Sequence, residues 1–97
     1  MRTVRFIEAA RKEFLTDVTW YNSSQPGLGK RFSKAVEEAV SLVLSFPQAG
    51  SLAVSNTRKV VIKNFPYSLY YRAEKNSIII FAIAHHARKP GYWSVRT

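Results

Sequence analysis

Seven consecutive residues, Ile78 to Ala84, carry no polar side chain, and four of them are isoleucine. A β-branched apolar run of that length predicts a central strand with a neighbour on each edge. It is far too short to cross a bilayer. A chain of 97 residues can close one core around such a strand and has no room for a second, so residues 1–97 read as one domain.

The remaining pattern supplies what must pack on that strand. Val4 and Phe6 alternate with Arg5, which predicts a short strand over Thr3–Ile7. Ala10, Phe14, Val18 and Tyr21 then recur at helical spacing to about Asn22. Pro26-Gly27 breaks the pattern, and a second helix presents Leu28, Phe32, Ala35, Val36, Ala39, Val43 and Phe46 as one stripe before Phe46-Pro47 ends it. So short a turn makes the helices antiparallel, each with one apolar face to bury. Trp20 and Tyr21 read as packing residues at this hairpin. Gln48 to Asn56 is small and polar and reads as an exposed loop. Strands follow over Arg58–Lys63, Tyr67–Ala73 and Ile78–His85, with Glu74-Lys75-Asn76-Ser77 as a hairpin turn. The expected fold class is α+β: strand, two helices, three strands, the helical hairpin on one face of a mainly antiparallel four-stranded sheet.

Strand alternation assigns the faces. Ile79, Phe81 and Ile83 are expected under the helices with Leu69 and Tyr71, while Ile80, Ala82 and Ala84 are expected to leave a concavity on the opposite face. Ser68, Tyr70 and Arg72 should look into it, with Lys63 alongside and Arg88 closing one end. His85 continues the parity of Ile83, which suits a structural histidine, and His86 is the more exposed of the two.

Charge is uneven. The first fifty residues hold seven bases and five acids, whereas the rest holds eight bases and one acid, Glu74, giving +9 overall. That field suits an anionic partner, either nucleic acid or an acidic protein segment. The absence of cysteine excludes disulfides and thiolate chemistry. Two histidines with few carboxylates nearby predict no metal site, and no motif calls for a cofactor. The first residues lack the apolar core of a signal peptide, so a cytoplasmic protein with no membrane attachment is expected.

The element order, with Trp20-Tyr21, Pro26-Gly27-Leu28-Gly29, Phe65-Pro66-Tyr67, Tyr71-Arg72 and His85-x-x-Arg88-x-Pro90-x-x-Trp93, resembles the RelE/ParE superfamily of toxins over nearly the whole chain. The resemblance implies the toxic half of a type II toxin–antitoxin pair, neutralised by a cognate antitoxin whose tail wraps it, in a heterotetramer or larger. Two functions divide the superfamily. RelE-like members cut messenger RNA in the ribosome, and ParE-like members poison DNA gyrase.

RNA cleavage through the 2′-hydroxyl requires a base, cations around the phosphorane and an acid for the leaving oxygen. Lys63, Arg72 and Arg88 could hold the phosphate, His85 or His86 could donate the proton, and Tyr92 or Trp93 could stack on a base. A carboxylate base is hard to find, which leaves a lysine or histidine as the base. Glu74 lies at the far end of the strand from His85, well beyond side-chain reach at roughly 3.3 Å per residue. RelE-like nucleases typically carry an arginine where this chain has Ser68, and Tyr71-Arg72 and the His-x-x-Arg-x-Pro ending resemble the ParE-like branch. Gyrase poisoning is therefore the leading expectation, with mRNA cleavage (Lys63, Arg72, His86, Arg88, Tyr92) as the alternative and a non-toxic basic nucleic-acid-binding domain as the third. The expected surface for target or antitoxin is Arg58, Lys63, Tyr70, Arg72, His85, Arg88 and Trp93. Duller roles remain open: Trp93 could fold back to cap the core, and Arg58 and Lys59 could be ordinary edge-strand charges.

Overall fold

The computed structural model describes residues 2–97. In chain order it contains β1 (Thr3–Phe6), α1 (Glu8–Ser24), α2 (Leu28–Ser45), β2 (Ser51–Ala53), β3 (Thr57–Val61), β4 (Tyr67–Ala73), β5 (Ser77–His85) and a terminal 3₁₀ turn (Tyr92–Arg96). The strands form one sheet in the order β1-β5-β4-β3-β2, in which β1 runs parallel to β5 and all other pairs are antiparallel. The α+β class stands, but the sheet has five strands, not four. Ser51 to Ala53, taken from sequence as loop, pairs with Lys59 to Thr57 as an edge strand. Ser55 and Asn56, both at positive φ, make the turn between them. No helix among the described residues is long and apolar enough to span a membrane.

The helices cover one face of the sheet. Phe32, Val36, Ala39 and Val43 of α2 are buried with Ile62, Tyr67, Leu69, Tyr71, Ile78, Ile80 and Ile83, and Phe14, Val18 and Tyr21 of α1 pack against them. Full burial of a side chain such as Phe32 contributes about 1.5–3 kcal/mol each time. The connection between the helices is tight: Gly27 takes φ +85° and the Gly29 N–H donates to Asn22 Oδ1 at 2.8 Å.

The expected strand parity holds for only half of β5. Tyr70 pairs with Ala82 but Tyr71 pairs with Ile80, so Phe81 is the extra residue of a β-bulge. Ile78 and Ile80 lie under the helices before the bulge, and Ile83 lies there after it. Ile79 and Phe81, expected under the helices, instead join Ala82 and Ala84 on the opposite face, while Ile80 moves the other way. That opposite face is not an open hollow. The terminal 3₁₀ turn folds across it and buries Trp93 against Ile79, Phe81, Ala82 and Ala84, with the Tyr70 ring 4.3 Å from the indole.

Candidate functional site

The sequence places Arg72 and Arg88 on one concavity, and the fold separates them. Arg72 pairs with Ile79 while Tyr67, five residues earlier, pairs with His85, so about 17 Å of strand lies between Arg72 and the end of β5 that leads to Arg88. Arg72 is also occupied. Its Nε and Nη2 donate to the carbonyls of Asn56 (3.1 Å) and Ser55 (2.7 Å), and its guanidinium lies 5.0 Å from the Phe81 ring. Arg58 is a second internal clamp, donating to the Gly50 carbonyl at 2.8 Å. Lys63 projects from the loop after β3 into a depression on the other side of the sheet, beside Arg31 and Lys34 of α2. These three cations do not share a site.

The remaining expected residues do come together. Tyr70, His85, His86, Arg88, Tyr92 and Trp93 line one depression of about 380 Å³ at the end of β5, with Lys59 and Lys89. No carboxylate lines it. Trp93 contributes a buried wall and cannot offer its face to a ligand. His86 is exposed and its Nε2 is 2.9 Å from Ser68 Oγ. Arg88 lies 3.9 Å above the Tyr92 ring, exposed and with no ion-pair partner among the described residues. The arrangement can receive an anionic or hydrogen-bonding group, but it holds no carboxylate base for a 2′-hydroxyl.

On the helix side of the same ridge lies a larger cleft of about 610 Å³. Its walls are Lys12, Glu13, Thr16, Asp17 and Trp20 of α1, and Tyr67, Ile83, His85, Arg88 and Tyr92 opposite. His85, Arg88 and Tyr92 therefore border both hollows. Nδ1 of His85 accepts the Ala87 N–H at 2.9 Å, which leaves Nε2 to carry the proton of the neutral ring. Its ring meets Tyr67 edge-on at 5.0 Å, so the structural reading of this histidine has a physical basis.

The carboxylates of the cleft behave differently. Arg96 holds the Glu13 carboxyl below its ordinary range, outweighing the effect of burial. Burial pushes the Asp17 carboxyl up, with the Tyr67 hydroxyl, Arg88 and His85 acting against that rise without cancelling it. The Tyr67 hydroxyl is itself raised by burial and by Asp17. Burial also raises the Tyr92 hydroxyl, followed by the charge of Glu13. No cation among the described residues comes within ion-pair distance of Asp17.

Residues 4–90 match the family described as the ParE toxin of the type II toxin–antitoxin system parDE. The chain belongs to the ParE toxin family. Its fold is similar to that of the chromosomal ParDE toxin–antitoxin system from P. aeruginosa, with a TM-score of 0.64 at 19% identity over 88% of this chain and 96% of that one. Among curated proteins, none is significantly similar in sequence.

In this ParE-family chain the residues that sequence reasoning passed over are Glu13, Asp17 and Trp20. They recur at i, i+4 and i+7 on α1 and so share a helix face. That spacing was a usable signal, because Asp17 is one of only six acids in the chain. Trp20, read as packing, is 61% exposed at the cleft rim.

Proposed function

We propose that this chain arrests growth by binding DNA gyrase in the cytoplasm, and that a cognate ParD-type antitoxin neutralises it in a heterotetramer built on an antitoxin dimer. Membership of the ParE family supports the toxin role. The observation that favours a binder over a nuclease is the composition of the depression at the end of β5: cations and aromatic rings with no carboxylate, with Lys63 lining a different depression and Arg72 bonded to the Ser55 and Asn56 carbonyls. Two of the five residues that RNA cleavage would call on are thus absent from the hollow that holds the other three. His86, Arg88 and Tyr92 are better suited to gripping an acidic surface.

A supercoiling assay with purified gyrase tests the reading. The expected outcome is gyrase-dependent DNA cleavage or loss of supercoiling at micromolar toxin. Unaltered supercoiling together with new breaks inside codons of translated message would transfer the chain to the ribosome-dependent nucleases. Light scattering on the mixed toxin and antitoxin should give the mass of two copies of each.

A further inference from the structure

On the helix side of the sheet, away from the hollow at the end of β5, Arg31 and Lys34 of α2 and Lys63 of the loop after β3 line a depression of about 570 Å³. Arg31 and Lys34 stand three residues apart and share a helix face with Leu28, Ala35 and Glu38. The first turn of α2 holds no acid, so the helix does nothing to offset the charge of Arg31. Lys63 is held toward this face by its neighbours. Ile62 is buried, and the Phe65 ring packs 5.1 Å from Phe32 and 5.3 Å from Tyr21. Between those two anchors Asn64 takes φ +67°, which reverses the chain and leaves Lys63 and Asn64 as the exposed tip of a pinned loop.

All three cations are exposed, and none has an ion-pair partner among the described residues, although Glu38 borders the same depression. Arg58, Arg72 and Arg96 differ, since their guanidinium groups are bonded to carbonyls or to Glu13 of this chain. Three positive charges against one negative call for an anion. The rest of the lining decides which. A protein partner needs apolar anchors, but the large hydrophobic side chains left exposed, Trp20, Phe46, Leu52 and Val95 among them, all lie elsewhere. A single strand needs a free ring to stack on, and the one ring here, Phe65, is half-buried and packed on Tyr21 and Phe32. The phosphate backbone of a duplex needs only cations on a polar surface, which this depression supplies.

We propose that this depression binds the phosphate backbone of duplex DNA, with Arg31, Lys34 and Lys63 on phosphates and no preference for base sequence. Glu38 marks its limit, because a phosphate beside that carboxylate is repelled. The contact goes beyond the gyrase reading and does not depend on it. Because this depression and the β5 hollow lie on opposite sides of the sheet, the chain can hold duplex DNA with one and an acidic protein surface with the other.

Fluorescence anisotropy of a short labelled DNA duplex of mixed sequence, titrated with the full chain at several salt concentrations and without gyrase, tests the proposal. Lys34→Gln combined with Lys63→Gln should weaken binding roughly 10-fold and reduce the slope of log affinity against log salt by about 2, since each phosphate contact contributes about 0.9. Arg5→Gln combined with Lys75→Gln removes the same net charge outside the depression and should leave both quantities nearly unchanged. Thermal melts should show both double variants folded. Equal losses from the two pairs would mean that net charge alone drives binding, and overturn the site. So would the absence of binding at low salt. Tighter binding of a single strand or of duplex RNA, or equal affinity for polyglutamate with the same loss in the Lys34/Lys63 variant, would overturn duplex DNA as the ligand. None of these outcomes bears on the gyrase reading, which the supercoiling assay decides separately.

Discussion

Arg96, at the end of the terminal turn, grips Glu13 on α1 with two parallel bonds: Nη1 to Oε1 at 2.9 Å and Nη2 to Oε2 at 2.6 Å. Both side chains are mostly buried, and the same guanidinium holds the Phe81 carbonyl at the bulge. One side chain therefore fastens the covering turn to a helix and to the irregular point of the central strand. Arg96→Ala should lower the free energy of unfolding by about 1–3 kcal/mol, read from urea denaturation. A change within error would show that Trp93 alone keeps the turn in place.

The Glu13 carboxyl, held below its ordinary value of 4.5, gives a signed pH effect. Its stabilising contribution is full above that ordinary value and is lost as pH falls through the lower, folded value. Asp17 has the opposite sign, since its raised folded value works against stability once the carboxyl ionises. Glu13→Gln should therefore flatten the acid limb of a stability–pH curve, and Asp17→Asn should raise stability near neutral pH. Parallel acid limbs for the unmodified chain and Glu13→Gln would contradict this assignment.

Gly29 sits where α1 and α2 cross. A Cβ there would collide with the Val18 carbonyl and with Asn22 Oδ1, the acceptor of the Gly29 N–H. Because the carbonyl belongs to a helix backbone, it cannot move aside as a side chain would. Gly29→Ala should lower stability by about 1–3 kcal/mol despite the better helix propensity of alanine, and calorimetry should show the loss as a reduced Tm.

Arg72 and Arg88 should part company in a growth assay. Arg72 donates to the Ser55 and Asn56 carbonyls, so Arg72→Ala should cost about 1 kcal/mol of stability and leave growth arrest largely in place. The Arg88 side chain has no such bonds and borders both hollows, so Arg88→Glu should abolish arrest with only a small fall in melting temperature from the lost stacking on Tyr92. Equal loss of toxicity from both substitutions would return Arg72 to the binding surface.

Much of this architecture was legible because periodicity reports burial directly. The α2 stripe, the Tyr67–Ala73 strand and the stop at Phe46-Pro47 follow from spacing and from proline chemistry. The fifth strand was not legible. Ser51 to Ala53 is three residues long, lies at an edge with Leu52 77% exposed, and gives alternation nothing to act on. The bulge was hidden for the opposite reason: in a run where every residue is apolar, an extra one changes faces without changing pattern. The site was half legible. His85, His86, Arg88 and Tyr92 are close in sequence and meet in space, whereas Asp17 and Trp20 join them only because β1 ends early and lets α1 lie beside the tail of β5.

The inserted Phe81 also governs how this molecule can be aligned with its kin. Positions ahead of it and behind it obey opposite odd–even rules. A relative lacking the insertion would therefore place under the helices what this chain places on the opposite face, either from Ile79 back toward Ser77 or from Ala82 onward. Any residue-by-residue transfer of binding roles across that point is off by one unless a gap is placed at the bulge itself.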